Sequence, residues 1–164
     1  MADEPADSHR SVVIVEVGPR DGLQNEARAV PTAAKIAFIE ALADAGLAVV
    51  EATSFVSPTA VPQLADADEV MRSIHRRPDV RYPVLVPNER GFDRALAAGV
   101  DAIALFTSAT EAFCQANIRC TIDESFSRFR PVVNRALAKG IWIRGYVSVA
   151  FDCPYSGRVA PEAA

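Results

Sequence analysis

One pattern of residues occurs three times along the chain and constrains its fold more than any other feature. A segment rich in alanine and leucine ends on a glycine and leads directly into an apolar run, at Gly46, Gly99 and Gly140. Glycine is favoured just after a helix because it adopts positive φ without strain. The apolar runs that follow are typical of strands buried on both faces. The pattern therefore predicts helices that alternate with buried strands.

We predict five strands, near residues 12, 48, 82, 102 and 142, the first being the β-branched run at 11–15. The predicted helices cover 32–45, 62–75, 89–98 and a segment that begins with the capping box at Thr121 and Glu124. In this last helix the predicted inward residues are Phe126, Phe129, Val133, Ala136 and Leu137. Pro131 is expected to kink or split it, because proline cannot donate a helix hydrogen bond.

Strands that alternate with helices imply a parallel sheet. A closed (βα)8 TIM barrel needs about 250 residues, whereas this chain has 164. We therefore expect an α/β fold, an incomplete TIM barrel of about five strands and four helices. Residues 1–10 are polar and acidic and are expected to form a disordered tail. Residues 11–164 are expected to be the N-terminal portion of a TIM-barrel catalytic domain, truncated before strands six to eight.

Composition argues against several classes of function. The net charge is −4, without a dense cluster of lysine and arginine, which disfavours a nucleic-acid partner. The apolar runs are too short to cross a membrane, and the first residues resemble neither a secretory signal nor a transit peptide. The three cysteines, Cys114, Cys120 and Cys153, lack a zinc-site spacing, and their odd number fits a reducing compartment. We expect a cytoplasmic protein without nucleic-acid or membrane partners.

The residues that follow the first predicted strand carry the strongest functional signal. The string EVGPRDGLQNE occupies positions 16–26, and ligands of α/β proteins bind at the carboxyl ends of strands. Asp21 can hold a hard cation through oxygen, and Arg20 can stabilise negative charge that develops on a substrate oxygen. An Arg–Asp pair in a solvated loop is the alternative, but the whole string, with its two glycines, favours a site.

Five stretches of the chain, at 17–26, 51–58, 61–66, 144–148 and 153–155, resemble the 3-hydroxy-3-methylglutaryl-CoA lyase family. The resemblance implies a TIM barrel that cleaves 3-hydroxy-3-methylglutaryl-CoA to acetyl-CoA and acetoacetate, a retro-Claisen step of leucine catabolism and ketone-body formation. It also implies a divalent cation, Mg²⁺ or Mn²⁺, an acyl-CoA substrate and a homo-oligomer when full length.

The resemblance also implies roles for particular residues. Asp21 matches a metal ligand, and Arg20 matches the residue that binds the substrate and steadies the enolate oxygen. Glu51, at the end of the second strand, matches an acidic residue that supports catalysis. Gln24 and Ser54 are candidates for substrate binding behind these groups.

Several parts of the family pattern do not occur in this sequence. They are an Asp-Thr segment, a His-x-His pair, a glycine-rich loop with the catalytic cysteine, and an asparagine ligand. His9 and His75 are expected not to bind metal, since lone histidines seldom do so. Cys153 matches a Cys-Pro-Tyr stretch and is expected to be a semi-buried thiol without a catalytic role. We therefore expect this chain to be inactive alone.

Two alternatives remain open from the sequence. The chain can belong to a related TIM-barrel aldolase or Claisen enzyme, although the Gly-Pro-Arg-Asp-Gly-Leu-Gln string disfavours this. It can also be a non-catalytic half-barrel that assembles only with another chain.

Overall fold

The computed structural model describes residues 12–164, so the predicted tail at 1–10, with His9, lies outside the described part. The strands are β1 (Val15–Glu16), β2 (Val49–Val50), β3 (Thr53–Ser54), β4 (Val84–Leu85), β5 (Ala102–Ser108), β6 (Trp142–Ser148), β7 (Asp152–Cys153) and β8 (Gly157–Arg158). The α-helices are α1 (Thr32–Asp44), α2 (Ala67–Ser73), α3 (Glu89–Ala97), α4 (Glu111–Ile118) and α5 (Ile122–Ala138).

The first six strands form a parallel arrangement whose spatial order follows the chain. β1 pairs with β2, and β3, β4, β5 and β6 pair in succession. β2 and β3 are two parts of one broken strand, because the Glu51 amide donates to Glu16 and the Ala52 amide donates to Pro83. The β5–β6 pairing is the longest, running from Ala102 opposite Trp142 to Ser108 opposite Ser148. The predicted parallel, incomplete barrel is therefore confirmed.

The glycines of the threefold pattern have the predicted conformation. Gly46, Gly99 and Gly140 have φ values of +92°, +71° and +67°, each just after a helix. The helices pack their apolar faces against the sheet, and the core includes Ile39, Val50, Phe92 and Ile103. Among the described residues, no helix is both long and apolar enough to span a membrane.

The first strand is shorter than predicted. β1 contains only Val15 and Glu16, whereas Val12, Val13 and Ile14 are exposed. The prediction took a β-branched run as a sign of burial on both faces. Within residues 12–164 these three residues do not pair with a strand, and the pattern alone does not reveal how many neighbours a strand has.

Two helical segments also differ from prediction. The predicted helix at 62–75 is a short 3-10 turn (Pro62–Leu64) followed by α2, because the Asp66 carboxylate between them accepts hydrogen bonds from Thr32 and Lys35. α4 was not predicted, although Thr110 caps it by accepting from the Phe113 amide. The described part thus has five α-helices where four were expected.

α5 runs unbroken through Pro131, so the predicted split is wrong. The missing proline N–H removes one hydrogen bond from a helix of 17 residues. The capping box at Thr121 and Glu124 is confirmed. Phe126 and Leu137 are exposed rather than inward, because the buried stripe passes through Ser125, Phe129, Val132 and Ala136. The antiparallel β7–β8 hairpin was not predicted either.

Candidate functional site

A wide helical turn, Gly18–Gly22, follows β1 and carries the two charged residues of the motif. The Val17 carbonyl accepts hydrogen bonds from the amides of Arg20 (3.1 Å), Asp21 (2.7 Å) and Gly22 (3.4 Å). Glu16 closes the start of the turn, since its Oε1 accepts from the Gly18 amide at 2.6 Å. A Cβ on residue 18 would lie 2.8 Å from that oxygen, so a larger residue there would displace the Glu16 side chain. The turn thereby fixes Arg20 and Asp21 at the carboxyl end of β1.

Arg20 forms a buried ion pair with Glu51. Its Nε donates to Glu51 Oε1 at 2.5 Å, and the two residues are 8% and 0% exposed. A fully buried carboxylate is stable only when it is paired and hydrogen-bonded. The pair therefore joins the turn after β1 to the adjacent broken strand, and it fixes the orientation of the guanidinium.

Tyr146 on β6 binds the other oxygen of the same carboxylate. Its hydroxyl donates to Glu51 Oε2. Burial and, next, the hydrogen bond to Glu51 raise the pKa of Tyr146 to about 12. The Cζ atoms of Arg20 and Arg144 lie 5.9 Å and 4.9 Å from the centre of its ring. Sequence analysis did not single out Tyr146, although the stretch 144–148 was among those that carried the resemblance.

Asp21 is the more exposed member of the charged pair. Its Oδ1 accepts from Arg20 Nη1 at 2.7 Å and from Gln24 Nε2 at 2.8 Å, while the side chain is 50% exposed. Within residues 12–164, Oδ2 has no hydrogen-bond partner. A half-exposed carboxylate held through one oxygen fits a hard divalent cation as one ligand. The described residues contain no group of three or more potential metal ligands.

Four of the five predicted site residues lie together. Arg20, Asp21, Gln24 and Glu51 are linked by the contacts above. Ser54 is buried, and its hydroxyl bonds only backbone: it donates to the Leu85 carbonyl at 3.4 Å and accepts from the Val56 amide at 3.3 Å. In the described part of the chain Ser54 therefore has no hydrogen bond to the other four.

The histidine and the three cysteines lie apart from these contacts. His75 is exposed and follows α2 rather than lying within it. Cys114 lies within α4, and both it and Cys120 are buried. Cys153 is buried, and its Sγ accepts from Thr110 Oγ1 at 3.1 Å. Burial raises the pKa of this thiol, but hydrogen bonds from Ser156, Thr110 and nearby amides outweigh that effect and lower it to about 7.

The arrangement provides a fixed cation for an anionic oxygen. Arg20 uses Nε for Glu51 and Nη1 for Asp21, and its Nη2 has no hydrogen bond among residues 12–164. An arginine oriented before substrate arrives costs little reorganisation when charge develops. The site can therefore stabilise an oxyanion next to a carboxylate that is suited to a metal ion.

Comparisons with known proteins agree on one family. Residues 11–164 match the HMGL-like family. The chain is 55% identical to the mitochondrial hydroxymethylglutaryl-CoA lyase of Bos taurus, over 93% of this chain and 47% of that protein. It is 57% identical to the cytoplasmic 3-hydroxy-3-methylglutaryl-CoA lyase of Danio rerio, over 92% of this chain and 45% of that protein.

Solved structures give the same result. The hydroxymethylglutaryl-CoA lyase of Pseudomonas aeruginosa superposes with a TM-score of 0.90 at 48% identity, covering 93% of this chain and 51% of that one. An HMG-CoA lyase of Acinetobacter baumannii, solved with coenzyme A and 3-methylmalate, gives 0.87 at 40% identity over 92% of this chain and 49% of that one. The chain thus spans about half the length of the relatives that it matches.

Proposed function

Because the chain belongs to the HMGL-like family, we propose that it forms the amino-terminal half of the catalytic barrel of a 3-hydroxy-3-methylglutaryl-CoA lyase. Such an enzyme cleaves the substrate into acetyl-CoA and acetoacetate. The observation that supports this proposal most directly is the buried Arg20–Glu51 pair at the carboxyl ends of the strands. It provides the oxyanion-stabilising group that this reaction needs.

The chemistry assigns different tasks to the two members of the pair. A base removes the proton of the tertiary hydroxyl, the carbon–carbon bond breaks, and negative charge collects on the thioester oxygen of the leaving enolate. Arg20 donates hydrogen bonds to that oxygen and lowers the barrier. Glu51 is fully buried and is occupied by two donors, so it serves as the fixed counter-charge of Arg20. The base itself comes from outside the described residues.

Asp21 would provide one oxygen ligand for a divalent cation, Mg²⁺ or Mn²⁺, and Gln24 would orient that carboxylate. When bound, such a cation acts as a Lewis acid toward the alcohol and carboxylate oxygens of the substrate. The remaining ligands lie outside the described residues. The half-exposed Asp21 side chain supports this assignment because it leaves Oδ2 accessible.

The finer parts of the proposal follow from the family. We infer an acyl-CoA substrate, in line with the names of the relatives, with Ser54 as a candidate that supports substrate binding from behind the charged groups. We also infer a homo-oligomer at full length and a cytoplasmic location, as in the name of the Danio rerio relative, whereas the Bos taurus relative is named mitochondrial. Leucine catabolism and ketone-body formation are the processes that such a lyase would serve.

The test joins this chain to the part of the barrel that it does not span. Residues 12–164 are fused to the carboxyl-terminal half of the Pseudomonas aeruginosa lyase, and acetoacetate is measured in a coupled assay with Mg²⁺ or Mn²⁺. We expect turnover within about tenfold of the typical ~10 s⁻¹, and none from the 164-residue chain alone. The matched control is the same fusion with Arg20→Met.

Two outcomes would contradict the proposal. Turnover by the 164-residue chain alone would show that the additional ligands are unnecessary. A folded fusion that cleaves a different acyl-CoA or keto acid, but not 3-hydroxy-3-methylglutaryl-CoA, would favour a related aldolase or Claisen enzyme.

A further inference from the structure

The carboxylate of Glu51 accepts hydrogen bonds from two residues that lie toward opposite ends of the strand order. Arg20, in the turn after β1, binds Oε1 at 2.5 Å. Tyr146, on β6 and 95 positions along the chain from Glu51, binds Oε2. Neither donor alone fixes the carboxylate, because a carboxylate with one partner can still rotate about its last torsion.

We propose that Tyr146 is a positioning residue for the reaction, which holds Glu51 in the orientation that directs the Arg20 guanidinium toward the substrate. It acts through Glu51 and Arg20, without touching the reacting atoms itself. The proposal rests on the proposed function only in that Arg20 is taken to bind the developing oxyanion.

Burial makes the tyrosine hydroxyl hard to replace. Glu51 is 0% exposed, so Tyr146→Phe would leave Oε2 without this donor inside the protein. A buried charged group that loses a hydrogen bond is destabilised unless another donor replaces it. The carboxylate would turn to share Oε1 and Oε2 with Arg20 or with another donor, and the guanidinium would move with it.

The tyrosine ring is itself held in place. Arg144 Cζ lies 4.9 Å from the ring centre, within the range of a cation–π contact. Among the described residues, Arg144 has no ion-pair partner, and its buried Nε has no hydrogen-bond partner. The Arg144 guanidinium thus packs against the ring and braces it next to Glu51.

The strand that carries Tyr146 is firmly anchored. Tyr146 lies opposite Phe106 within the seven-residue β5–β6 pairing, whereas β1 pairs with β2 over two residues. The hydrogen bond to Glu51 thus connects the Arg20–Glu51 ion pair to the best-paired strand of the sheet.

The first test measures the orientation of Arg20 directly, in the 164-residue chain labelled with ¹⁵N-arginine. The Nε–H of Arg20, bonded to Glu51, should give a slowly exchanging proton resonance, as should the Tyr146 hydroxyl. Tyr146→Phe should speed exchange of the Arg20 proton by about tenfold or more, as expected for loss of a bond worth roughly 1.4 kcal/mol. Tyr155→Phe is the matched control, because Tyr155 is 63% exposed.

The second test uses the fusion protein described above. Tyr146→Phe should lower kcat by about tenfold while KM changes by less than about twofold, the pattern for loss of an interaction made mainly in the transition state. Tyr155→Phe should change neither. Loss of stability alone would lower the amount of active enzyme and speed exchange at every protected site, whereas the proposal predicts faster exchange at Arg20 in particular.

Each outcome decides a separate point. Slow Arg20 exchange in a folded Tyr146→Phe chain, or the lack of a protected Tyr146 hydroxyl in the unsubstituted chain, would overturn the proposal even where the variant does not fold. Unchanged kcat in an active fusion would overturn the link to catalysis. If the unsubstituted fusion is folded but has no lyase activity, the proposed function fails, and the exchange experiment still decides whether Tyr146 positions Arg20.

Discussion

The β1 side of the sheet and its β6 side, which are the two ends of the strand order, hold their functional side chains by different means. On one side, β1 pairs over two residues, and Arg20 and Asp21 follow it in a turn. On the other side, β6 pairs with β5 over seven residues and carries Tyr146 within the strand. Glu51 lies between them and binds both. Arg20 and Asp21 thus follow the strand with the fewest backbone pairs. The side-chain hydrogen bonds of Glu51 connect them to β6, which has the most.

The largest effect on activity should come from replacing Arg20, the cation on the β1 side of the sheet. In the fusion protein, Arg20→Met should lower kcat by about 10²–10³, the loss seen when an oxyanion donor is removed. The coupled acetoacetate assay measures it. Arg28→Met, an exposed arginine later in the same loop, is the control and should have near-normal activity. Near-normal kcat in Arg20→Met would show that the turn carries no catalytic group.

Removing the carboxylate that joins the two sides should mainly affect stability. Glu51→Gln leaves the Arg20 guanidinium buried without its counter-charge, and loss of one member of a buried pair typically costs about 3 kcal/mol. Urea unfolding of the 164-residue chain measures this. Glu162→Gln changes an exposed glutamate and should have almost no effect. Equal urea midpoints for the two variants would mean that the Arg20–Glu51 pair contributes little net free energy to folding.

On the β6 side of the sheet, the outer edge of β6 is open to pairing with another chain. Among the described residues β6 pairs only with β5, so its second edge has free amides and carbonyls that can pair with another chain. We expect the 164-residue chain to self-associate, as measured by size exclusion with light scattering. Val147→Lys on β6 should reduce this association, because an edge lysine opposes strand pairing.

The control for that experiment lies at the other side of the sheet. Val12 is exposed but lies outside any strand, so Val12→Lys should reduce association less than Val147→Lys. A sharp monomer peak for the unsubstituted chain, with one cooperative urea transition, would show that the β6 edge is protected. An equal effect of both lysines would mean that exposed apolar surface, and not strand pairing, drives association.

The smallest effect concerns the thiol in the hairpin beyond β6. The pKa of Cys153 is lowered to about 7 in the folded chain, because donated hydrogen bonds outweigh burial. A lowered folded-state pKa adds stability above the unfolded pKa of roughly 8.5, and this stability is lost as pH falls through about 7. The free energy of unfolding should therefore rise with pH between about 7 and 8.5, and Cys153→Ser should remove that rise. A slope that persists in the variant would assign the effect to another group.

Much of the fold could be predicted from the sequence because it depends on local signals. Gly46, Gly99 and Gly140 mark where helices end, and the capping box at Thr121 marks where α5 begins. The exposure of Val12 could not be predicted, since a β-branched run does not reveal how many strands lie beside it. The same limit applies to Phe126, because the buried stripe of α5 includes Ser125, a polar residue that bonds Thr107 inside the core.

The residues of the site also divide into those that the sequence predicts and one that it does not. Arg20, Asp21 and Gln24 lie close in sequence, so one motif predicts their proximity. Glu51 came from the resemblance together with its position at a strand end. The contact of Tyr146 with Glu51 joins residues 95 positions apart and depends on the register of three intervening strand pairings. No local pattern contains that information.

The wide turn at Gly18–Gly22 also determines which kinds of genetic change this region can accept. Three amides converge on the Val17 carbonyl, so the number of residues between β1 and Arg20 is set by the hydrogen bonding. Insertion or deletion of one codon would rotate the following side chains around the turn, because each added residue changes the angular position of those after it. Arg20 would then point away from Glu51 even if every residue type were retained. Length is therefore constrained here more tightly than composition.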